Sequence, residues 1–285
     1  MIRHNQKTIQ KLLIPILVLM SGISLSAKDK INPEELISNH LKAIGPAEKL
    51  QARKSCILEG DGAWRNLTGS LGSLSGKAIF VSEDDKIRFN IKFNHTNYPA
   101  EQFAFDGKMF DTGFVQVGFR SRLGQFLFDH SVLVKQGLLG GVLSTGWALT
   151  NRPRLDAKVS YNGIKKFNGK PAHELRYMPK GAGDLNILLY FDPDTFRHVG
   201  SIYRLVKSAQ LVTGRPEESA RQPDTRWEIE EHFDNFQEVE GLMLPLHWNI
   251  HFLVEAEGSA RTEWDMNYSK ASFNQPVDPT VFKLQ

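Results

Sequence analysis

The chain has a single cysteine, Cys56, in 285 residues. One cysteine cannot close an internal disulfide, so the fold must be held by its core. Cys56 lies in the strand-like run Ser55-Cys56-Ile57-Leu58 and reads as a small buried hydrophobe. Catalytic patterns are missing too. There is no Gly-x-Ser-x-Gly, no Walker loop and no dinucleotide fingerprint. His247 and His251 stand four apart, which would suit zinc on a helix, but the surrounding pattern is a strand and no third ligand of matching motif follows. No metal, cofactor or catalytic residue is therefore expected. Glu230-Glu231-His232 reads as a charged strand edge. Glu231 stands out as a polar residue on an apolar face, to be placed at a cavity rim or beside a cation.

Long apolar runs are scarce. Leu12 to Met20 is apolar except for Pro15, and it is too short to span a bilayer. Arg3, His4, Lys7 and Lys11 precede it and the small residues Ser24-Leu25-Ser26-Ala27 follow. This is the pattern of a secretory signal peptide over 1–27, cleaved near Ser26 or Ala27, so export to the periplasm is expected. Charge of one sign is also lacking. Arg3, Lys7 and Lys11 account for the formal excess of 35 cations over 32 acids, and the rest of the chain is balanced. The pI of about 8.8 is thus no sign of nucleic-acid binding. Fixed-period repeats and low-complexity tracts are absent, so 28–285 is read as one domain.

What the chain does have is alternation. Ile87-Arg88-Phe89-Asn90-Ile91-Lys92-Phe93 switches between apolar and polar at every step. Side chains of a strand have a period of two, so one face is greasy and the other wet. The pattern recurs in Phe103 and Phe105, in Leu175 and Tyr177, in Ile187, Leu189 and Phe191, in Trp227, Ile229 and Phe233, in Leu246, Trp248, Ile250 and Phe252, and in Trp264, Met266 and Tyr268. Turn signals separate the strands: Asp106-Gly107, Asn168-Gly169, Asp192-Pro193-Asp194-Thr195 and Glu240-Gly241. The fold class is α+β, mainly antiparallel β: about eleven strands in a sheet wide enough that it must curl.

Helices are few. Asn32-Pro33-Glu34-Glu35 opens one with a cap, an N1 proline and acids at the positive end of the dipole. Leu36, Ile37, Leu41 and Ile44 form its stripe, and Gly45-Pro46 ends it. The stretch 121–149 is the apolar insert, read as two short helices broken by Gly137 and Gly140-Gly141. Gly69 to Gly76 reads as a flexible turn, and Asn66-Leu67-Thr68 as a glycosylation sequon in form only. Thr213 to Thr225 reads as a mobile loop, and 273–282 as a short helical turn or extended cover.

The question is what covers the apolar face. A dozen wet aromatic and aliphatic side chains would each forfeit about 1.5–3 kcal/mol. Covering them with acyl chains is physically sound, at about 0.8 kcal/mol for each buried CH₂. The expected cavity residues are Phe89, Ile91, Phe93, Phe103, Phe105, Leu189, Phe191, Trp227, Trp248 and Ile250. The expected lid residues are Phe126, Leu127, Val132, Leu133, Leu138, Leu139 and Trp147.

The order of phrases resembles a known family. A signal peptide and short helix precede wide strands. Asp106-Gly107-Lys108 leads into the apolar insert. Asn168-Gly169-Lys170-Pro171-Ala172-His173-Glu174-Leu175 and Tyr190-Phe191-Asp192-Pro193-Asp194-Thr195-Phe196 follow, and Asn274-Gln275-Pro276-Val277-Asp278-Pro279-Thr280-Val281-Phe282 closes the chain. This layout is similar to the LolA-like periplasmic proteins of outer-membrane lipoprotein sorting. The resemblance implies a half-barrel whose concave side is lidded by helices. It also implies a monomeric carrier of lipid or lipoprotein acyl chains that does no chemistry and meets inner- or outer-membrane protein receptors. A lipid sensor or interaction protein with a self-filled cavity is the alternative it leaves open, and a hydrolase with an unfamiliar site is a third reading. For the lid-locking arginine that the resemblance implies, Arg88, Arg120 and Arg176 are all open.

Overall fold

The computed structural model describes residues 31–69, 72–208, 224–256 and 258–284, with backbone alone at 152–154. The expected signal peptide and most of the expected loop at 213–225 lie outside these residues.

Alternation builds most of the chain into one sheet. Its first run is β1 Ser55–Asn66, β2 Ser73–Glu83, β3 Lys86–Phe93, β4 Ala100–Phe105 and β5 Phe110–Thr112. A small hairpin follows, β6 Phe114–Gln116 and β7 Phe119–Arg120. The second run is β8 Lys158–Phe167, β9 Lys170–Met178, β10 Asn186–Phe191, β11 His198–Lys207, β12 Thr225–Val239, β13 Leu242–Glu255 and β14 Ser259–Phe273. The strands stand in the order β5-β4-β3-β2-β1-β14-β13-β12-β11-β10-β9-β8, all antiparallel. Two meanders are thus joined along one seam, β1 against β14, into a curved sheet that stays open.

The main sheet has twelve strands where about eleven were expected, and β6–β7 form a separate pair. The separate pair escaped notice because strands of two and three residues are too short to show a period. Gly69 to Gly76 was read as a turn, yet Ser73–Gly76 belongs to β2.

Register explains the core. Phe80 faces Phe89 and Phe89 faces Phe103, so one row of rings crosses three strands. In β3 the buried positions are Ile87, Phe89, Ile91 and Phe93, as the alternation requires. The convex face carries a small apolar cluster of Phe167, Ala172, Leu188 and Tyr190. The edge strand β8 presents Lys158, Lys165 and Lys166, charges that discourage another strand from pairing.

The helices are α1 Pro33–Ile44, α2 Ala47–Ala52, α3 Arg122–Asp129, α4 Val132–Lys135 and α5 Ala148–Leu155, with 3₁₀ turns at Gly141–Leu143 and Pro279–Phe282. In α1, Asn32 accepts the Glu35 amide at 2.8 Å as the cap. Its buried face is Leu36, Ile37, His40 and Ile44; Leu41, expected there, is only partly buried. Neither α2 nor α5 was expected, and the insert runs past 149 to Leu155. The insert leaves β5 at one sheet edge and returns at β8, the other edge. Its buried side chains Leu127, Leu133, Leu138 and Leu143 join the same core cluster as Phe89, Phe103, Leu189 and Trp248, so the insert lies over the concave face as a lid.

Candidate functional site

The concave face brings the expected cavity residues into one cluster. Phe89, Ile91, Phe93, Phe103, Phe105, Leu189, Phe191, Trp248 and Ile250 are all buried. Phe89 stacks on Phe103 with centroids 4.7 Å apart, and Phe80 and Phe89 meet the Trp248 ring edge-on at 5.6 and 5.4 Å. Phe80 was missed because Ile79-Phe80-Val81 is apolar at every position and hides the face. Trp227 differs. It is half-buried at the sheet's end, with Lys207 Nζ 5.9 Å above its ring.

The lid seats firmly. Phe126, Leu127, Leu133, Leu138, Leu139 and Trp147 are buried, while Val132 is only partly so. Phe126 meets Phe252 across the gap at 5.5 Å, and Trp147 stacks on His198 at 4.8 Å. Gly140 and Gly141 let the backbone approach the sheet, at φ of +80° and +52°. A Cβ on Gly141 would come within 2.7 Å of His198 Nδ1. The concave face is therefore filled by the protein's own lid.

Polar groups fasten that lid at several points, Thr145 among them, whose amide donates to Ser82 Oγ at 3.0 Å and whose hydroxyl donates to the Asp84 carbonyl at 2.9 Å. Arg53 is buried and donates through Nη2 to the carbonyls of Val142 and Ser144, 3.0 Å to each. Its guanidinium also lies 5.7 Å from the Phe273 ring centroid. Arg53, which bonds the lid backbone, is not among the three candidates, of which Arg120 also reaches the lid, its guanidinium 4.0 Å from the Phe128 ring centroid of α3. Arg88 bonds Gln102, Arg120 pairs with Asp111, and Arg176 is exposed. Arg53 follows α2, an unexpected helix, and its partners lie about ninety residues away, so no local pattern marks it.

Glu231 is completely buried and neither lies at a rim nor pairs with a cation. It accepts from the lid amide of Gly140 at 2.7 Å, from Trp248 Nε1 at 2.9 Å and from the Tyr203 hydroxyl at 2.6 Å. Burial pushes its carboxyl up to about 7, and the three donors oppose that rise. The Tyr203 hydroxyl also lies 3.0 Å from the Leu138 carbonyl, so one proton serves two acceptors. Another fastening is histidine-based. Trp147 Nε1 donates to His40 Nε2 at 3.0 Å, so His40 Nδ1 carries the proton and donates to the Phe196 carbonyl. Burial drives His40 down to about 4, which keeps it neutral in that role.

Two open grooves lie at one end of the sheet, both bordered by Arg122 at the start of α3. The first, about 690 Å³, runs between Phe126 and His130 of the lid and Trp227, Phe252 and Val254 of the sheet. The second, about 620 Å³, is floored by Trp64, Leu74, Tyr98 and Trp264. Beneath it Glu101 is buried, bonded by Tyr98 and by Ser121 Oγ at 2.9 Å, and burial raises its carboxyl to about 7.

On the convex face the strand pairing supplies what the sequence did not show as a motif. Glu230 lies opposite His251, and the ligand atoms of Glu230, His232 and His251 are all within 4.8 Å of one another. Arg261 Nη2 lies 3.0 Å from His251 Nδ1 and 3.9 Å from Glu230, placing a side-chain cation in that cluster.

A wide open sheet, an apolar concave face and a latched helical lid define a lidded half-barrel. No protein-family model matches the chain, and no curated protein matches it. Solved structures are similar to it in layout. The LolA superfamily protein NE2245 from Nitrosomonas europaea is 11% identical, covers 89% of this chain and 98% of its own, and has a TM-score of 0.43. A putative outer membrane lipoprotein-sorting protein domain from Vibrio parahaemolyticus is 11% identical over 86% of this chain and 97% of its own, with a TM-score of 0.40. A DUF1329 family protein from Desulfovibrio piger is 11% identical over 88% and 96%, with a TM-score of 0.41.

Proposed function

We propose that the protein is an exported, periplasmic carrier that binds lipid or lipoprotein acyl chains against its concave sheet, in outer-membrane lipoprotein sorting or lipid transport. It acts without chemistry and as a monomer. The observation that supports this reading best is a broad aromatic face covered by short helices that pack on it through apolar side chains an acyl chain could replace. An acyl chain that displaced the lid would leave the face dry in both states. The balance would then rest on the lid's polar contacts, those of Arg53, Glu231, Trp147 and Thr145 among them, and on how well the lid leucines repack around the chain. The open grooves offer entry beside the lid. No helix among the described residues is long and apolar enough to cross a membrane.

The test is native mass spectrometry of protein released gently from the periplasm, with lipid extraction and titration by a fluorescent acyl probe. A stoichiometric lipid or acylated peptide, or saturable probe binding, is the expected result. A clean apo mass with no probe binding would overturn it. The tight burial of the lid favours one second reading, a sensor or interaction protein whose cavity is filled by its own chain. Capture of an envelope protein by lipid-free material would support that reading.

A further inference from the structure

The β6–β7 hairpin carries apolar side chains that the fold does not cover. Val117 at its tip is 98% exposed, Phe119 69% and Phe114 51%, and Phe128 on the adjoining α3 is 41% exposed. One such residue alone would be ordinary, but three on one short hairpin with a fourth beside them on α3 are not. A two-stranded hairpin is marginal by itself. This one is braced by Arg120, whose guanidinium lies 4.6 Å from the Phe114 ring centroid and 4.0 Å from that of Phe128 while it pairs with Asp111 at 2.8 Å. The rings are thus held in place and face water.

The hairpin stands at the groove end of the sheet. Val115 borders the second groove, and Arg122, two residues beyond the hairpin, borders both. Lys207 adds a second cation to the first groove, where Asp129 is the one acid among the described lining residues. Apolar tips beside cations match the boundary of a bilayer, with hydrocarbon below and phosphates above. A protein partner would satisfy the rings but gives no reason for cations to flank the grooves.

We infer that this hairpin is a membrane-docking tip: Val117 and Phe119 enter an anionic bilayer surface while Arg122 and Lys207 engage lipid phosphates, setting both groove mouths against the membrane. The inference rests on the acyl-carrier reading for its purpose, yet its test is separate. The experiment is co-flotation of the periplasmic protein with vesicles of phosphatidylethanolamine and phosphatidylglycerol, and with vesicles of phosphatidylcholine. The native protein floats with the anionic vesicles. The double variant Val117→Asp with Phe119→Asp loses binding about tenfold or more, and Arg122→Glu weakens binding only to the anionic vesicles. Both hairpin positions are exposed and outside the grooves, so the double variant keeps its melting temperature and its acyl-probe affinity. Flotation unaffected by the hairpin variant overturns the inference, and so does flotation only when the vesicles carry envelope proteins. Probe binding without flotation removes the tip and keeps the carrier. Hairpin-dependent flotation without probe binding keeps the tip and removes the carrier.

Discussion

Arg53 at the end of α2 and Glu231 inside β12 reach the same short segment of the lid, one binding the carbonyls of 142 and 144 and the other the amide of 140. Charge-assisted hydrogen bonds are worth more than neutral ones, and a buried carbonyl left bare costs about 1–3 kcal/mol. Arg53→Leu should therefore destabilise the fold by about 2 kcal/mol and loosen the lid before the sheet. Hydrogen exchange should quicken at the amides of 137–148 and acyl-probe uptake should accelerate; unchanged exchange there would show that Arg53 does not hold the lid. The sequence marked Glu231 as odd, since a carboxylate between Ile229 and Phe233 breaks the apolar row. It could not say why, because Tyr203, Trp248 and Gly140 converge on it only through strand pairing and lid docking.

At the level of elements, the long strands were legible and the short pieces were not. Lys170–Met178 was read with its observed limits, and β3 to within one residue, because alternation and the flanking turns agree. The hairpin β6–β7 shows no period in strands of two and three residues, and α5 is hidden because Asn151-Arg152-Pro153-Arg154 interrupts any apolar stripe. The insert stands out in the sequence by its low polarity, and that it lies on the concave face is visible only in the packing of its buried side chains. Replacing Leu133 and Leu138 together by Glu puts two carboxylates where both side chains are completely buried. The lid should undock rather than bury them. Acyl-probe retention should be abolished while far-UV circular dichroism keeps its strand signal. Retention at the native level would refute the insert as a lid.

On the scale of the whole molecule, buried titratable groups oppose one another. Glu101 and Glu231 are lifted by burial from the ordinary 4.5 to about 7. Between those values the folded state holds protons that the unfolded chain has lost, so their contribution falls as pH rises. His40, lowered from 6.5 to about 4, and His198, lowered well below 6.5, act in reverse. There the unfolded chain gains protons first, and stability falls as pH drops through that window. The native protein should show a shallow profile between pH 4.5 and 7. Glu231→Gln removes one carboxyl, so the variant should match the native protein near pH 5 and exceed it near pH 8 in urea midpoint. A constant difference at the two pH values would mean that Glu231 does not titrate in this range.

Sequence alone carries the antiparallel class and the alternation within each long strand. Each depends on periodicity and turn chemistry, which are local. The seam of β1 against β14, the partners of Arg53 and Glu231 and the cross-strand cluster of Glu230, His232 and His251 were decided only by the tertiary structure. So was the filling of the concave face by the lid. Those contacts join residues far apart in the chain, and their geometry follows from how the sheet curls and pairs.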